Sequence, residues 1–352
     1  MKGIDTKSPL FKAFIHWIFS LTFIYGISFF PWFIQNFYFE NIYPIIATVN
    51  RWFYRLFSFS VGDVIYILGI GYLFYLLIEI ILHIRKPLPF LLKLSNYLLQ
   101  VVWLFYLSWG FNYFRPSLSE TLHFNNDDYT LEQLKNVTNT IIDKSNELQL
   151  NITKNDTLAV DVPYGISHIL RLTPIGYQKI EDKIHQKYRL PCIKESLLSS
   201  WISYLHTTGY LNPFTGESQI NYLYPKSALP FIASHEVAHQ LGYAPEDEAN
   251  FLGFLSSINN PDPYFKYSGY TSALYYLLIE LHKADNDAYK ESLKHINKGI
   301  IKNFREESRF YHRYNLRYDM TKVYDSYLKL NQQKKGIHSY NDMVRLLIGY
   351  YK

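Results

Sequence analysis

The chain is poor in cysteine. Cys192 stands alone among 352 residues, so no internal disulfide can form, and no local signature of a catalytic thiol surrounds it. It reads as a packed structural side chain. Charge is also sparse: 18% of residues are charged, no long run of one sign occurs, and the formal net charge of +5 is spread without a basic stripe. Nucleic acid is therefore not an expected partner. Walker-type loops and dinucleotide fingerprints are absent, which removes the commonest phosphate and nicotinamide cradles. No repeat or low-complexity linker interrupts residues 116–352, a length compatible with one domain.

Mean hydropathy is only −0.11, a soluble-looking value that conceals the first third of the chain. Residues 11–34 are apolar and aromatic with a single lysine, residues 61–82 form a second such run, and residues 97–114 form a third that can extend back to Leu94. Each matches or approaches the roughly 20 residues needed to cross a bilayer as a helix. The expectation is a membrane anchor of about three transmembrane helices over residues 1–115. A cleaved signal peptide fits less well, because the first apolar core is too long and no small-x-small site follows Pro31. Asp63 and Glu79 in the second run are read as lying near the helix ends, at the interfaces. Residues 41–59 carry Arg51 and Arg55 among aromatics, which suits a helix at the outer membrane boundary or an extracytoplasmic helix packed on the spans.

Cations set the expected orientation. Lys2, Lys7 and Lys12 flank the first run and Arg85, Lys86 and Lys93 separate the second from the third, whereas the first connection carries Arg51 and Arg55 with Glu40. This bias puts the N-terminus and the 83–96 loop inside and everything after Arg115 outside, in an inner-membrane protein with a periplasmic domain.

The richest chemistry lies at His235-Glu236-Val237-Ala238-His239. Imidazoles four residues apart lie one above the other on a helix face, and both can reach one tetrahedral metal at roughly 2.0 to 2.1 Å. Glu236, about 100° around the helix from His235, can then act as general base on a zinc-bound water. Ser227 and Pro230 suit the start of this helix, and Gly242 suits its end. Pro245 and the acids of Glu246-Asp247-Glu248 open a second helix, which returns a carboxylate toward the histidines.

The Glu246-x-x-x-Asn250 spacing resembles the third-ligand helix of the gluzincins, the thermolysin-like clan. That resemblance implies Glu246 as the third zinc ligand and Asn250 as a polar support for a ligand histidine. Only six residues separate His239 from Glu246, fewer than in thermolysin, and Glu248 remains an alternative ligand. Further segments, Trp109-Gly110-Phe111-Asn112-Tyr113-Phe114-Arg115 and Gly209 to Glu217, extend the likeness over nearly the whole chain. They resemble a family of uncharacterised bacterial membrane proteins of unknown function in the zincin-like clan. The resemblance implies a membrane-anchored metallopeptidase.

Elsewhere in the outer domain, Thr130 to Gln133 reads as a capping box, and helices are expected at 175–188, 268–285, 287–298 and 321–332, with a last one capped by Ser339. Residues 199–206 and 218–224 alternate enough to be strands. By resemblance, Glu217 to Asn221 would be the edge strand that binds an extended substrate. Tyr210, Tyr222, Tyr243 and Tyr270 are candidate donors to a transition-state oxygen. The expected architecture is an α-helical membrane region followed by a helix-rich α+β zincin-like domain over 116–352. Two functions fit: a zinc peptidase acting on envelope proteins or peptides, or a catalytically inactive zincin-like envelope protein that binds partners.

Overall fold

The computed structural model describes residues 8–82, 87–122, 129–315 and 340–352. Lys2, Lys7, Arg85, Lys86, the expected 321–332 helix and the Ser339 cap lie outside these residues. The described chain is mostly helical, with three long apolar helices near the N-terminus and one small sheet.

The apolar helices are α1 (Pro9–Ile27), α4 (Val61–Ile81) and α5 (Pro87–Ser108), each long and apolar enough to cross a membrane. Helix α1 stops seven residues short of the expected end. A turn follows Ile27, and the chain restarts as α2 (Pro31–Phe33), a π-helical stretch (Ile34–Ile42) and α3 (Tyr43–Tyr54). Helix α5 begins ten residues earlier than expected, and Gly110–Phe114 is a buried 3-10 turn outside the span. Indole-to-hydroxyl bonds zip α1 to α5, Trp17 Nε1 to Ser95 Oγ (2.8 Å) and Trp103 Nε1 to Ser20 Oγ (3.0 Å).

Residues 43–54 form one helix with two contrasting faces. Inward, Tyr43 Oη donates to the Gln240 carbonyl (2.9 Å), and buried Arg51 donates to the carbonyls of Gln240 and Arg189. Outward, Ile45, Val49, Trp52 and Phe53 are exposed. The helix is tied to the later domain by these bonds, also touches α5, and presents an apolar face of the kind that suits a membrane boundary. One continuous apolar core runs from Ile24 to Ile348, across the junction at 115.

After a short turn, α6 (Leu118–Thr121), come α7 (Leu131–Thr153) and α8 (Ile166–Ile184). The Thr130–Gln133 capping box makes both reciprocal bonds. Helix α8 starts before the expected 175, with Pro174 buried inside it. Residues 199–206 are not a strand. Ser199–Tyr204 is a helical turn, α9, whose buried Ser199, Ile202 and Ser203 follow the i, i+3, i+4 period.

The sheet contains β1 (Ile193–Glu195), β2 (Gly209–Leu211) and β3 (Ser218–Ile220) in the order β1-β3-β2. β3 pairs parallel with β1 and antiparallel with β2, so the 217–221 segment forms the centre of the sheet and is not its edge. Both its backbone sides are taken. The edge strand beside the motif helix is β2.

The remaining helices are α10 (Leu229–Gln240), α11 (Glu246–Asn259), α12 (Pro263–Ala284), α13 (Asn286–His295), α14 (Lys298–Arg313) and α15 (Tyr340–Tyr351). Helix α14 has no counterpart in the sequence reading. It buries Gly299, Ile300, Asn303 and Phe310, a one-sided stripe at helical spacing that the sequence reading passed over.

Candidate metal centre

Helix α10 carries His235, Glu236 and His239, with Pro230 at its second position and Gly242, at φ +92°, turning the chain beyond it. Only glycine adopts that conformation without strain. Helix α11 packs closely on α10 at Gly253, where an added Cβ would lie 3.0 Å from the His235 amide nitrogen. This close approach brings the first turn of α11 over the two imidazoles. Glu246 Oε2 lies 3.4 Å from His235 Nε2, and Glu246 Oε1 lies 3.7 Å from His239 Nε2. One ligand atom from each of the three residues falls within 4.8 Å of the others.

Glu248, the alternative, points elsewhere. Its Oε1 accepts the Leu118 amide at 2.6 Å, and it is 3% exposed, in the field of Arg115. Asn250, on the same helix, accepts at Oδ1 from Tyr276 Oη at 3.2 Å. The group that orients His239 is the Tyr243 carbonyl, 2.7 Å from Nδ1. A carbonyl can only accept, so Nδ1 carries a proton and Nε2 is the nitrogen turned toward Glu246, the one that would give its lone pair to a metal after losing its own proton. No signal in the sequence marked this backbone contact, because any residue type supplies a carbonyl.

Burial pulls His239 toward the neutral form, but the charge and hydrogen bond of Glu246, with Glu236 and the Tyr243 carbonyl, outweigh it and push the imidazole up to about 9. Glu246 is held well below the usual carboxylate range because the two histidines overcome its own desolvation. Glu236 behaves oppositely. Burial raises its carboxyl to about 7, with Glu246 adding to the rise and the histidines opposing it. Its Oε2 is buried and has no hydrogen-bond partner, and His235 Nδ1 is likewise unpartnered.

Gly209 on β2 makes room for Glu236: a Cβ there would sit 2.8 Å from Glu236 Oε1. Ser218 Oγ on β3 donates to the Glu236 carbonyl at 2.9 Å and fixes the helix against the sheet. Beneath the end of α10, Trp109 Nε1 donates to the His239 carbonyl (3.0 Å) and Arg115 Nη1 to the Gly242 carbonyl (3.1 Å). Gln240 ties this end to the sheet side through the Cys192 and Gly216 carbonyls.

The candidate tyrosines are mostly committed elsewhere. Tyr210 Oη is bonded to Asp63 Oδ1, Tyr243 is buried against Phe39, Tyr270 packs edge-on to Phe254, and Tyr222 is exposed. A cavity of about 680 Å³ opens between residues 32–51 and Tyr243 but includes none of the His-His-Glu cluster.

The family described as a protein of unknown function (DUF3810) matches residues 38–348, and the chain belongs to that family. No curated protein and no solved structure matches it.

Proposed function

We propose that this member of the family is a membrane-anchored zinc peptidase, with a zincin-like domain held outside the cytoplasmic membrane. The observation that carries the reading is one cluster: His235, His239 and Glu246 within ligand distance of one another, beside a buried carboxylate, Glu236, with an unpartnered oxygen. Two imidazoles and one carboxylate are the donor set of a catalytic zinc site, which keeps a position open for water. With Nδ1 of His239 held by the Tyr243 carbonyl, Nε2 is the nitrogen left to join that set, giving up its proton as metal binds.

Zinc bound there would supply a Lewis acid and a water acidic enough to attack near neutral pH. Glu236 is the base that takes the water's proton and returns it to the leaving amine. A carboxyl raised toward neutrality by burial suits both halves of that exchange. Gly209 keeps space for it, and the edge strand β2 offers backbone groups to an extended peptide. Peptide or protein substrates of the envelope, and the lipid bilayer, are the expected partners.

The test measures zinc and peptide cleavage on the purified full chain. Wild type and Glu236→Gln are expected to hold about one zinc per chain, with cleavage falling roughly 10² to 10⁴-fold in Glu236→Gln because only the proton transfer is lost. His239→Ala and Glu246→Gln are expected to lose zinc, whereas Glu248→Gln keeps it, because its carboxylate serves the Leu118 amide. Equal zinc in His239→Ala would sink the metal assignment. Undiminished cleavage by Glu236→Gln would sink the peptidase, and zinc without any cleavage would favour a binding module.

A further inference from the structure

The turn from Leu197 to Leu205 exposes its large side chains. Trp201 is 74% exposed, Leu197 53%, Leu205 48% and Tyr204 43%. From Ser196 to Tyr210 there is no Lys, Arg, Asp or Glu. An ordinary water-facing turn carries charge and few large apolar groups, and a contiguous apolar patch of this kind marks a surface that meets something.

Its position says what it meets. Asp63, in the first turn of α4, accepts the Leu197 amide at 2.7 Å and the Ser196 hydroxyl at 3.0 Å. The turn is thus riveted to the end of an apolar helix. Lys194, just before it, donates to the carbonyls of Tyr54 (2.8 Å) and Phe59 (2.7 Å), the segment that leads into α4. That segment exposes Leu56, Phe57 and Phe59. The apolar surface is continuous with the entry to the span, and Trp and Tyr are the residues enriched where a bilayer meets water.

The candidate metal centre is joined to the same place. Gly209 stands against Glu236, and the next residue, Tyr210, bonds Asp63 and stacks on Tyr66 of α4 with ring centroids 6.3 Å apart. Tyr66 lies about one helical turn beyond the start of α4.

We propose that the Leu197–Leu205 turn seats in the polar boundary of the bilayer beside α4 and holds the β2 side of the centre against the membrane, so that the substrates are peptide segments lying at that surface. The substrate class rests on the peptidase reading above. The docking rests only on α1, α4 and α5 as membrane spans.

Depth and cleavage test the two parts separately. The full chain, with Trp201→Cys carrying a nitroxide, is placed in phosphatidylethanolamine–phosphatidylglycerol nanodiscs. Cys192, 2% exposed and with its thiol pushed up to about 11 by burial, stays unlabelled. The ratio of oxygen to nickel-chelate collisions at 201 is expected to be several-fold higher than for a label at Asp161→Cys, a position 88% exposed. An equal ratio overturns the docking. Exclusion of both reagents with spin-spin broadening also overturns it, by assigning the patch to a second copy.

For the substrate class, one peptide is offered free and tethered to a lipid. Trp201→Ser with Leu205→Ser should cut cleavage of the tethered peptide about tenfold, the effect of weakening positioning by about 1.4 kcal/mol, and leave the free peptide unchanged. Equal effects on both, or none, overturn the class. Failure of the wild-type protein on both peptides overturns the peptidase and the class with it, while the collision ratio still decides the docking.

Discussion

Glu307 shows how one side chain couples this fold to pH. It accepts the Tyr224 hydroxyl at 2.8 Å, yet burial, reinforced by Glu306, raises its carboxyl to about 7 against the opposing effect of that hydrogen bond. The unfolded chain loses this proton near its ordinary value, about 4.5, before the folded chain does. The stabilising contribution is therefore complete below about 4.5 and is lost as pH rises through about 7. Glu307→Gln keeps an acceptor for Tyr224 and removes the titration. Its melting temperature should exceed that of the wild type at pH 8, and the gain should vanish or reverse at pH 4.5; the same difference at both pH values would contradict the account. At this scale the His-His-Glu cluster was only partly legible. His235, Glu236 and His239 could be read because their relation is set by one helix. The choice between Glu246 and Glu248 turned on the phase of α11 over α10, which depends on the Gly253 contact and on the Leu118 amide, 130 residues away in sequence. The hydrogen bond from Tyr276, on another helix, to Asn250 Oδ1 was hidden for the same reason.

Among elements, the junction between sheet and span depends on Glu217. This fully buried carboxylate pairs with Lys194 at 2.5 Å and accepts the Val61 and Gly62 amides, filling the N-terminal donors of α4. Glu217→Gln leaves a buried lysine uncompensated, a class of change that costs about 3 to 5 kcal/mol. The melting temperature should fall clearly in detergent, and Lys194→Met in the same chain should restore part of it because no charge is then left unpaired. A double variant no more stable than Glu217→Gln would refute the pairing. None of this was visible in sequence, where Glu217 seemed to begin a substrate-binding edge. Strand length explains the error. Three-residue strands carry almost no periodic signal, so 218–224 could reveal a strand but not its neighbours, and the alternation at 199–206 concealed a helical turn. Long helices with local caps, such as α7, were readable from Thr130 and Gln133 alone.

For the whole molecule, the three long apolar helices were legible because roughly twenty apolar residues in succession leave few alternatives, whereas the return of α3 onto α10 through Tyr43 and Arg51 was not, being carried by contacts nearly 200 residues apart. The described ends fix a relative topology. The start of α4 and the end of α5 both touch the later domain, at Asp63–Leu197 and Trp109–His239, so the far end of α4 and the start of α5 lie at the opposite ends of those helices. In the proposed orientation, the excess of Lys and Arg at residues 2–12 and 85–93 puts that opposite side in the cytoplasm. A reporter active only in the periplasm, fused after Lys352, should therefore give signal, and the same reporter inserted between Leu82 and Pro87 should be silent. Reversal of both signals would place the His-His-Glu centre in the cytoplasm and exchange its envelope substrates for cytosolic ones. Activity at both positions would mean that α5 does not cross, because among the three apolar helices it alone lies between the two fusion points.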